Sequence, residues 1–213
     1  IVGMGMTMTQ IAFGKESFNA ESNINDVIHD SAFDDYGRLI FPVDMEIEDN
    51  LKLKDVSSIL PWYSEVNTDK TVEIVNYMKN QAMNGEQIFY PIYSEEEMQA
   101  DADKKDTGLF FFRGNAGAKT TIINAGGGFV YVAGIHDSFP HALELSKKGY
   151  NAFALIYRPG AQTACEDLAR AIAFLHENAE QLQIDMTDYS LWGGYAGCLL
   201  YTSPSPRDRT RSR

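Results

Sequence analysis

The sequence predicts an α/β fold, with a mostly parallel sheet and helices on both of its faces. Apolar, strand-like runs alternate with helical patterns from about residue 88 onward, which is typical of a parallel or mixed sheet. A triple-glycine loop follows one predicted strand, and a second glycine-rich turn follows the last one. The 213 residues are enough for one domain with a substantial core.

The strands are predicted from short apolar runs that are rich in aromatic and β-branched residues. The five runs are IFYPIY (88–93), LFFFRG (109–114), TTIINA (120–125), NAFALIYR (151–158) and YSLW (189–192). The run 151–158 is unbroken, as in a strand buried on both faces. A helical crossover joins it to 189–192, so we expect 189–192 to be a central strand parallel to 155–158.

Helices are predicted from apolar residues at helical spacing at 69–79, at 140–149 and from 163 to about 182. Thr163 and Glu166 have the spacing of a capping box, in which the two side chains satisfy free amides at the helix start. In a separate pattern, the pair His136-Asp137 precedes the 140–149 helix, and Asp is a good capping residue.

Composition limits the kinds of partner. Hydrophobic residues make up 44% of the chain and charged residues 23%, as in a globular protein. The formal net charge is -12, and phosphate binding needs a basic face, so no nucleic-acid partner is expected. The 2 cysteines and 4 histidines form no motif with metal-ligand spacing, so neither a metal nor a cofactor is expected.

The turn Gly193-Gly194-Tyr195-Ala196-Gly197 follows the last predicted strand. It matches the GxSxG nucleophile elbow, in which flanking glycines let a strained strand-to-helix turn lift a serine out of the sheet. Tyr195 stands at the nucleophile position, where a serine is expected. By itself the pentapeptide is also compatible with an ordinary tight turn.

A second motif, Asn124-Ala125-Gly126-Gly127-Gly128-Phe129, follows an earlier predicted strand. Successive glycines leave backbone amides bare, and such amides stabilise the oxyanion that develops during acyl transfer. The alternative is a flexible or tight-turn glycine loop. The two motifs in this order favour the oxyanion interpretation.

The stretch from about Asp106 to Gly197 resembles bacterial α/β-hydrolases of the acetyl-esterase/lipase and hormone-sensitive-lipase-like group. In that group an HGGGF-type loop precedes a GGSAG elbow, and NAGGGF (124–129) and WGGYAG (192–197) carry the resemblance. The resemblance implies that Gly127, Gly128 and Ala196 supply oxyanion-hole amides. It implies that Gly193, Gly194 and Gly197 form the elbow.

Phe129 ends the glycine motif and His136 lies just past it, so both are candidate neighbours of the substrate, although a polar pair at a helix start is the simpler interpretation of His136-Asp137. The chain departs from the pattern at Asn124, where the group has histidine, and at Tyr195. The catalytic acid and histidine follow the nucleophile in this fold, yet no histidine and only Asp208 follow Tyr195 here.

These features divide the chain into four segments. Residues 1–13 are apolar and uncharged, which is compatible with the remnant of a signal or anchor segment, while a partly buried leader is the simpler interpretation. The location of the protein, cytoplasmic or exported, therefore stays open, and nothing in the sequence indicates a stable association with a membrane. Residues 14–87 are an N-terminal extension or cap-like region, and 88–197 are a partial α/β-hydrolase domain whose C-terminal strands are missing.

Residues 198–213 resemble translated sequencing-adapter sequence, and we expect an artefactual, disordered tail without a packed helix. A genuine Ser/Pro/Arg-rich tail is the alternative. Pro204 and Pro206 remove backbone donors, and four arginines resist burial.

The predicted function is that of a carboxylic ester hydrolase of the serine esterase or lipase kind, acting on a small-molecule ester. This chain itself is expected to be inactive, since it lacks the nucleophilic serine and the downstream acid and histidine. A serine peptidase of the prolyl-oligopeptidase-like kind shares the elbow and is one alternative. A non-catalytic binding protein with a genuine Tyr195 is the other.

Overall fold

In the computed structural model, which describes residues 17–63 and 66–202, the chain forms a five-stranded sheet flanked by helices. The strands are β1 (Phe89–Tyr90), β2 (Gly108–Phe112), β3 (Lys119–Asn124), β4 (Asn151–Ile156) and β5 (Asp185–Gly193). Strand β1 is much shorter than the predicted run 88–93, because Pro91 follows it directly and has no N–H to donate to a neighbouring strand. The predicted α/β fold is confirmed.

The strand order is β1-β2-β4-β3-β5. Strand β2 runs antiparallel to both of its neighbours, whereas β3 is parallel to β4 and to β5. Four of the five strands therefore point the same way, which confirms the prediction of a mostly parallel sheet.

The last predicted strand lies in the same sheet as β4 and points the same way, as expected, with β3 between the two. The expectation that it is central is wrong, because β5 is the last strand in the order among the described residues. Its burial alternates along the chain, unlike the fully buried β4, and alternation is typical of a strand with one covered face.

Seven α-helices are described: α1 (Ile24–Ile28), α2 (Thr68–Met83), α3 (Glu95–Ala100), α4 (Phe139–Lys147), α5 (Ala161–Glu177), α6 (Ala179–Leu182) and α7 (Ala196–Thr202). The predicted capping box at the start of α5 is wrong. The helix begins two residues earlier, after Gly160, and the Thr163 hydroxyl donates to the carbonyls of Pro159 and Gly160. Glu166 instead accepts a hydrogen bond from the Gln162 side chain.

Aromatic contacts show which helix covers which face of the sheet. Phe112 of β2 packs on Phe139 of α4, with ring centroids 5.6 Å apart. Phe111, which points to the opposite face, contacts Tyr90 at 6.3 Å. Tyr90 in turn contacts Phe174 of α5 at 6.2 Å. Helices α4 and α5 therefore lie on opposite faces, as the sequence predicts.

The N-terminal region packs onto the same sheet. Tyr36 stacks on Phe89 with ring centroids 5.2 Å apart and meets Phe110 edge-on at 6.0 Å. The predicted segment boundary at residue 87 stays a prediction. What the packing does establish is that the turn at 61–63 lies close to the end of β3, where the glycine loop begins.

The expectation of an unpacked tail is wrong for residues 198–202, which continue α7. Leu200 is buried, and its carbonyl lies 3.9 Å from the Cys165 Sγ of α5, whereas Leu199 is half exposed. No proline occurs between Cys198 and Pro204, so the backbone of these residues is free to form helix. The predicted leader at 1–13 and residues 203–213 lie outside the described residues.

Candidate active site

The turn between β5 and α7 has the geometry of an elbow. Strand β5 ends at Gly193, the helix begins at Ala196, and only Gly194 and Tyr195 connect them. Tyr195 has a φ of 48°, in the left-handed region that non-glycine residues seldom adopt. The strand, strained turn and helix follow each other as a nucleophile elbow requires.

Backbone hydrogen bonds hold this elbow against the end of β3. The Gly194 N–H donates to the Asn124 carbonyl at 3.2 Å, and the Gly197 N–H donates to the Gly194 carbonyl at 2.8 Å. A Cβ added at Gly197 would lie 2.1 Å from the same Asn124 oxygen. The elbow and β3 therefore approach more closely than any side chain at Gly197 would permit.

The glycine loop begins where β3 ends and lies next to the elbow. A Cβ added at Gly127 would lie 1.7 Å from the Tyr131 carbonyl, and Gly127 has a φ of 151°. Its own carbonyl accepts the N–H groups of Val130 and Tyr131, at 3.0 and 3.3 Å. These bonds fold the loop back on itself and leave the N–H groups of Gly127 and Gly128 without an acceptor in the described part of the chain.

A third N–H lies at the start of α7. The first amides of a helix have no intrahelical acceptor, and Ala196 is the first residue of α7. The described hydrogen bonds include none from its N–H. Gly127, Gly128 and Ala196 thus present three available donors.

These three residues and Tyr195 meet at one cavity of about 270 Å³. Its lining is aromatic apart from the small residues, and consists of Trp62, Tyr63, Gly127, Gly128, Tyr131, Tyr195 and Ala196. Of the predicted site residues, the structure therefore brings Gly127, Gly128, Tyr195 and Ala196 together. Gly193, Gly194 and Gly197 form the turn behind them.

Three aromatic residues of the cavity were not predicted from the sequence. The Trp62 indole N–H donates to the Tyr131 hydroxyl, and the Tyr63 ring meets the Tyr195 ring edge-on with centroids 5.6 Å apart. Trp62 and Tyr63 come from the Pro-Trp-Tyr turn of the N-terminal region. The only sequence signal for these two is a pair of adjacent aromatic residues after a proline.

Tyr195 itself lies at the cavity mouth and is 76% exposed. Its neighbour Tyr63 is about half buried, and burial raises the pKa of the Tyr63 phenol, with the Asp137 carboxyl as the next cause. Tyr63 therefore stays neutral at physiological pH and contributes an aromatic wall with a hydroxyl donor.

His136 lies behind this wall. Its Nε2 is 2.9 Å from the Val56 carbonyl, so the ring N–H donates there, and its ring centroid is 5.9 Å from that of Tyr63. Burial lowers the pKa of His136, which keeps the imidazole neutral. It is not among the lining residues of the cavity.

Phe129 is also set back from the cavity. Its carbonyl accepts the Gly160 N–H at 2.8 Å, and its φ is 61°. This bond ties the end of the glycine loop to the turn that follows β4. The structure thus places Phe129 and His136 around the site and not on its surface.

Asp137 does not cap helix α4. The residue before that helix, Ser138, makes no side-chain capping bond, and the Asp137 carboxylate instead accepts the N–H of Gly126 at 2.8 Å. Burial raises the pKa of the Asp137 carboxyl. The predicted capping role is therefore wrong, because the one-turn π-helix Gly134–Ser138 directs this side chain toward the glycine loop.

Among the described residues, the cavity has donors for a carbonyl oxygen but no histidine beside Tyr195 to act as a base. Histidine is the usual base that activates a serine, and the chain has 4 histidines, all before Tyr195. In the described residues none of the four has an aromatic or hydrogen-bond contact with Tyr195. The same ranges contain no helix that is long and apolar enough to span a membrane, and no cluster of His, Cys, Asp or Glu arranged to hold a metal ion.

Fold and site together define an α/β protein with a glycine loop facing a strand-turn-helix elbow. No protein-family model matches the chain, and no curated protein matches it. Parts of solved structures are similar to it. One is the apo form of Thermogutta terrifontis esterase 2, at 20% identity and a TM-score of 0.45, over 53% of this chain and 43% of that one.

A second is an acetyl ester-xyloside bifunctional hydrolase from Caldicellulosiruptor lactoaceticus, at 24% identity and a TM-score of 0.47, over 53% of this chain and 44% of that one. A third is esterase B from Lactobacillus rhamnosis, at 22% identity and a TM-score of 0.44, over 54% of this chain and 37% of that one. The matched region spans less than half the length of each of these three proteins. The strand order and pairing given above define the α/β fold independently of these similarities.

Proposed function

We propose that the cavity is the acyl-transfer site of a carboxylic ester hydrolase of the serine esterase or lipase kind. One observation carries the proposal: Gly127, Gly128 and Ala196, whose N–H groups have no acceptor among the described residues, line the same cavity as Tyr195. Donors from a loop after an earlier strand and from the residue after the nucleophile are the components of an oxyanion hole in this kind of enzyme.

With a serine at 195, the chemistry would proceed through an acyl-enzyme. The serine oxygen attacks the ester carbonyl while a histidine takes its proton, and the carbonyl oxygen becomes an oxyanion. The three amides donate to that oxyanion, and each such donor is worth roughly 100-fold or more in rate. The alcohol then leaves with the proton from the histidine, and water releases the acid.

Tyr195 changes this outcome in the chain itself. A phenol, like a serine hydroxyl, is a poor nucleophile until a base takes its proton. No histidine lies beside it among the described contacts or follows it in the sequence. We therefore propose that this chain binds ester-like ligands and does not turn them over.

The lining of the cavity indicates the class of substrate. None of its residues carries a charged side chain, and its aromatic side chains offer flat apolar surface with hydroxyl and indole groups at the edges. A volume of about 270 Å³ is at the small end for ligand pockets. We propose a small, uncharged ester.

A non-catalytic binding function is the second candidate. The observation that favours it is the edge-on contact between Tyr195 and Tyr63, which makes Tyr195 part of the aromatic wall. In that case the tyrosine is a ligand contact, and the cavity retains bound ligand unchanged.

Hydrolysis of short-acyl p-nitrophenyl esters tests the two candidates. We expect no turnover from the purified chain, and little from Tyr195→Ser, since a serine without a base is a poor nucleophile. Joining the chain through Gly197 to the C-terminal segment of an intact esterase, with serine at 195, should produce hydrolysis that a serine-directed phosphonate inhibits.

The matched control is the same fusion with tyrosine kept at 195, which should remain inactive. Turnover by the unmodified chain, free of host esterases, that persists in Tyr195→Phe would place the nucleophile elsewhere and contradict the proposal. A fusion that folds, carries the serine and binds esters without hydrolysing them would favour the binding function.

A further inference from the structure

A single carboxylate connects the glycine loop to the elbow. Asp137 lies 11 residues after Gly126, and its Oδ2 accepts the Gly126 N–H at 2.8 Å. Gly126 immediately precedes Gly127 and Gly128, the two loop donors. Because its own N–H points to Asp137, Gly126 offers no donor to the cavity, and the next two amides are the ones left available.

The same carboxylate lies against the elbow. A Cβ added at Gly194 would be 2.5 Å from the Asp137 Oδ2 and 3.1 Å from its Oδ1. Gly194 is the residue before Tyr195. The Asp137 side chain therefore touches both halves of the cavity wall, and only glycine at position 194 leaves room for it.

The backbone around Asp137 completes the connection. The Asp137 N–H donates to the Ala133 carbonyl at 2.8 Å, and the Ala133 N–H donates to the Gly126 carbonyl at 3.0 Å. Both polar backbone groups of Gly126 are thus bonded to the segment that carries Asp137. This leaves the glycine loop little freedom to rotate its amides.

We propose that Asp137 is a positioning residue, which fixes the glycine loop and the elbow relative to each other so that three amides face one ligand oxygen. The consequence for ligand binding rests on the proposed function, whereas the connection itself is a property of the fold. A hydrogen bond to an ionised acceptor is shorter and stronger than one to a neutral acceptor, which suits this role.

The surroundings of Asp137 are otherwise unfavourable for a carboxylate. Burial raises its pKa, and the Gly126 N–H and the electrostatic effect of His141 on α4 lower it. Tyr63 and Tyr157 face it from the N-terminal region and from the segment after β4, and the pKa of each phenol is raised by burial first and by Asp137 second. An apolar side chain would avoid this desolvation cost, so we attribute the carboxylate to its bond with Gly126.

Proton–nitrogen NMR spectra of the full chain test the proposal directly. The Gly126 amide proton should resonate downfield in the wild type, as expected for a donor to a carboxylate. The signal should move upfield in Asp137→Ala and by a clearly smaller amount in Asp137→Asn, which keeps a neutral acceptor oxygen. This rescue by the conservative variant separates a hydrogen-bonding role from simple space filling.

Butyrate serves as the probe for the cavity amides. Titration of the wild type should shift the amide signals of Gly127, Gly128 and Ala196 together. We expect Asp137→Ala to weaken butyrate binding by about 10-fold, since the Gly126 N–H loses its charged acceptor, and Asp137→Asn by less than about 3-fold, since a neutral acceptor replaces it. Equal binding by all three proteins would overturn the positioning role.

A second variant keeps the test decisive if Asp137→Ala folds poorly. Gly194→Ala leaves Asp137 in place but pushes its carboxylate away from the loop, so it should move the Gly126 signal as Asp137→Ala does. The matched control is Gly85→Ala, at a turn where an added Cβ meets no atom within 4 Å. An unchanged Gly126 signal in Gly194→Ala would refute the connection.

Failure of the proposed function would give a different result. If the Gly126 signal responds as predicted but butyrate shifts no cavity amide in any variant, the connection is supported and the cavity is not an acyl site. If butyrate shifts the three amide signals but substitutions at Asp137 leave the Gly126 signal unchanged, the proposed acyl site is supported and Asp137 has no positioning role.

Discussion

Replacing Gly197 with alanine should open the elbow. The new Cβ would lie 2.1 Å from the Asn124 carbonyl oxygen and 2.9 Å from that of Ala125, and both are backbone atoms that cannot rotate away. Ordinary contact begins at 3.4 Å, so the elbow must move by more than 1 Å from the end of β3. That shift also stretches the bond from the Gly194 N–H to the Asn124 carbonyl, which is already 3.2 Å long.

Overpacking of this kind costs about 3 kcal/mol, and the weakened hydrogen bond adds about 1 kcal/mol. We therefore expect the free energy of unfolding to fall by about 3 to 4 kcal/mol in Gly197→Ala. Urea denaturation followed by circular dichroism measures the change. Butyrate should also lose its effect on the Ala196 amide, because α7 moves with the elbow.

Gly85→Ala is the matched control for the same chemical change without a clash. Gly85 has a φ of 84° and open space around its Cα, so only the left-handed backbone penalty of about 1 to 2 kcal/mol applies. A Gly197→Ala protein no less stable than Gly85→Ala would show that the elbow does not press on β3, and the site geometry derived above would be wrong.

Three further predictions concern the scaffold around the site. Asp167 is fully buried and binds the Arg158 guanidinium at 2.8 Å. Asp167→Ala should therefore lower the free energy of unfolding, measured by urea titration, by about 3 to 5 kcal/mol. A decrease below about 1 kcal/mol would contradict a stabilising buried pair. Phe139 is fully buried, so Phe139→Ala should cost about 3 to 5 kcal/mol, whereas the control Tyr150→Ala, at a half-exposed ring, should cost much less. Because burial raises the pKa of Asp137, the stability that its protonated form contributes is lost as the pH rises from 3.8 through the folded-state pKa. The melting temperature of Asp137→Asn minus that of the wild type should therefore increase between about pH 4 and about pH 7, and a constant difference would mean that Asp137 titrates as it does in water.

The elbow and the glycine loop could be predicted from the sequence because their signals are local. A glycine-flanked turn after an apolar strand specifies a sharp reversal by backbone sterics alone, and the structure has that turn at Gly194-Tyr195. The same holds for the loop after β3. Helix starts were less predictable. A threonine hydroxyl can accept from a free amide at a helix start or donate to a carbonyl three or four residues earlier, and Thr163 does the second.

The neighbours in space could not be read from local patterns. Trp62 and Tyr63 precede the elbow by at least 130 residues, and nothing in their own sequence indicates that the N-terminal region folds over the cavity. Asp137 has the sequence context of a helix cap, yet a π-helical turn directs it to Gly126 instead. Side-chain direction there depends on how one turn closes, which the spacing of residue types does not encode.

The sequence by itself determined the alternation of strands and helices, the elbow at 193–197 and the bare amides of the glycine loop, because each follows from periodicity and glycine sterics within a few residues. Tertiary structure decided the order of the strands, which places β3 between β4 and β5. It also brought the loop and the elbow together at the carboxyl-terminal ends of the parallel strands β3 and β5. Pairing between distant strands is selected by the whole core, so the meeting of Gly127, Gly128, Tyr195 and Ala196 at one cavity is a property of the folded chain.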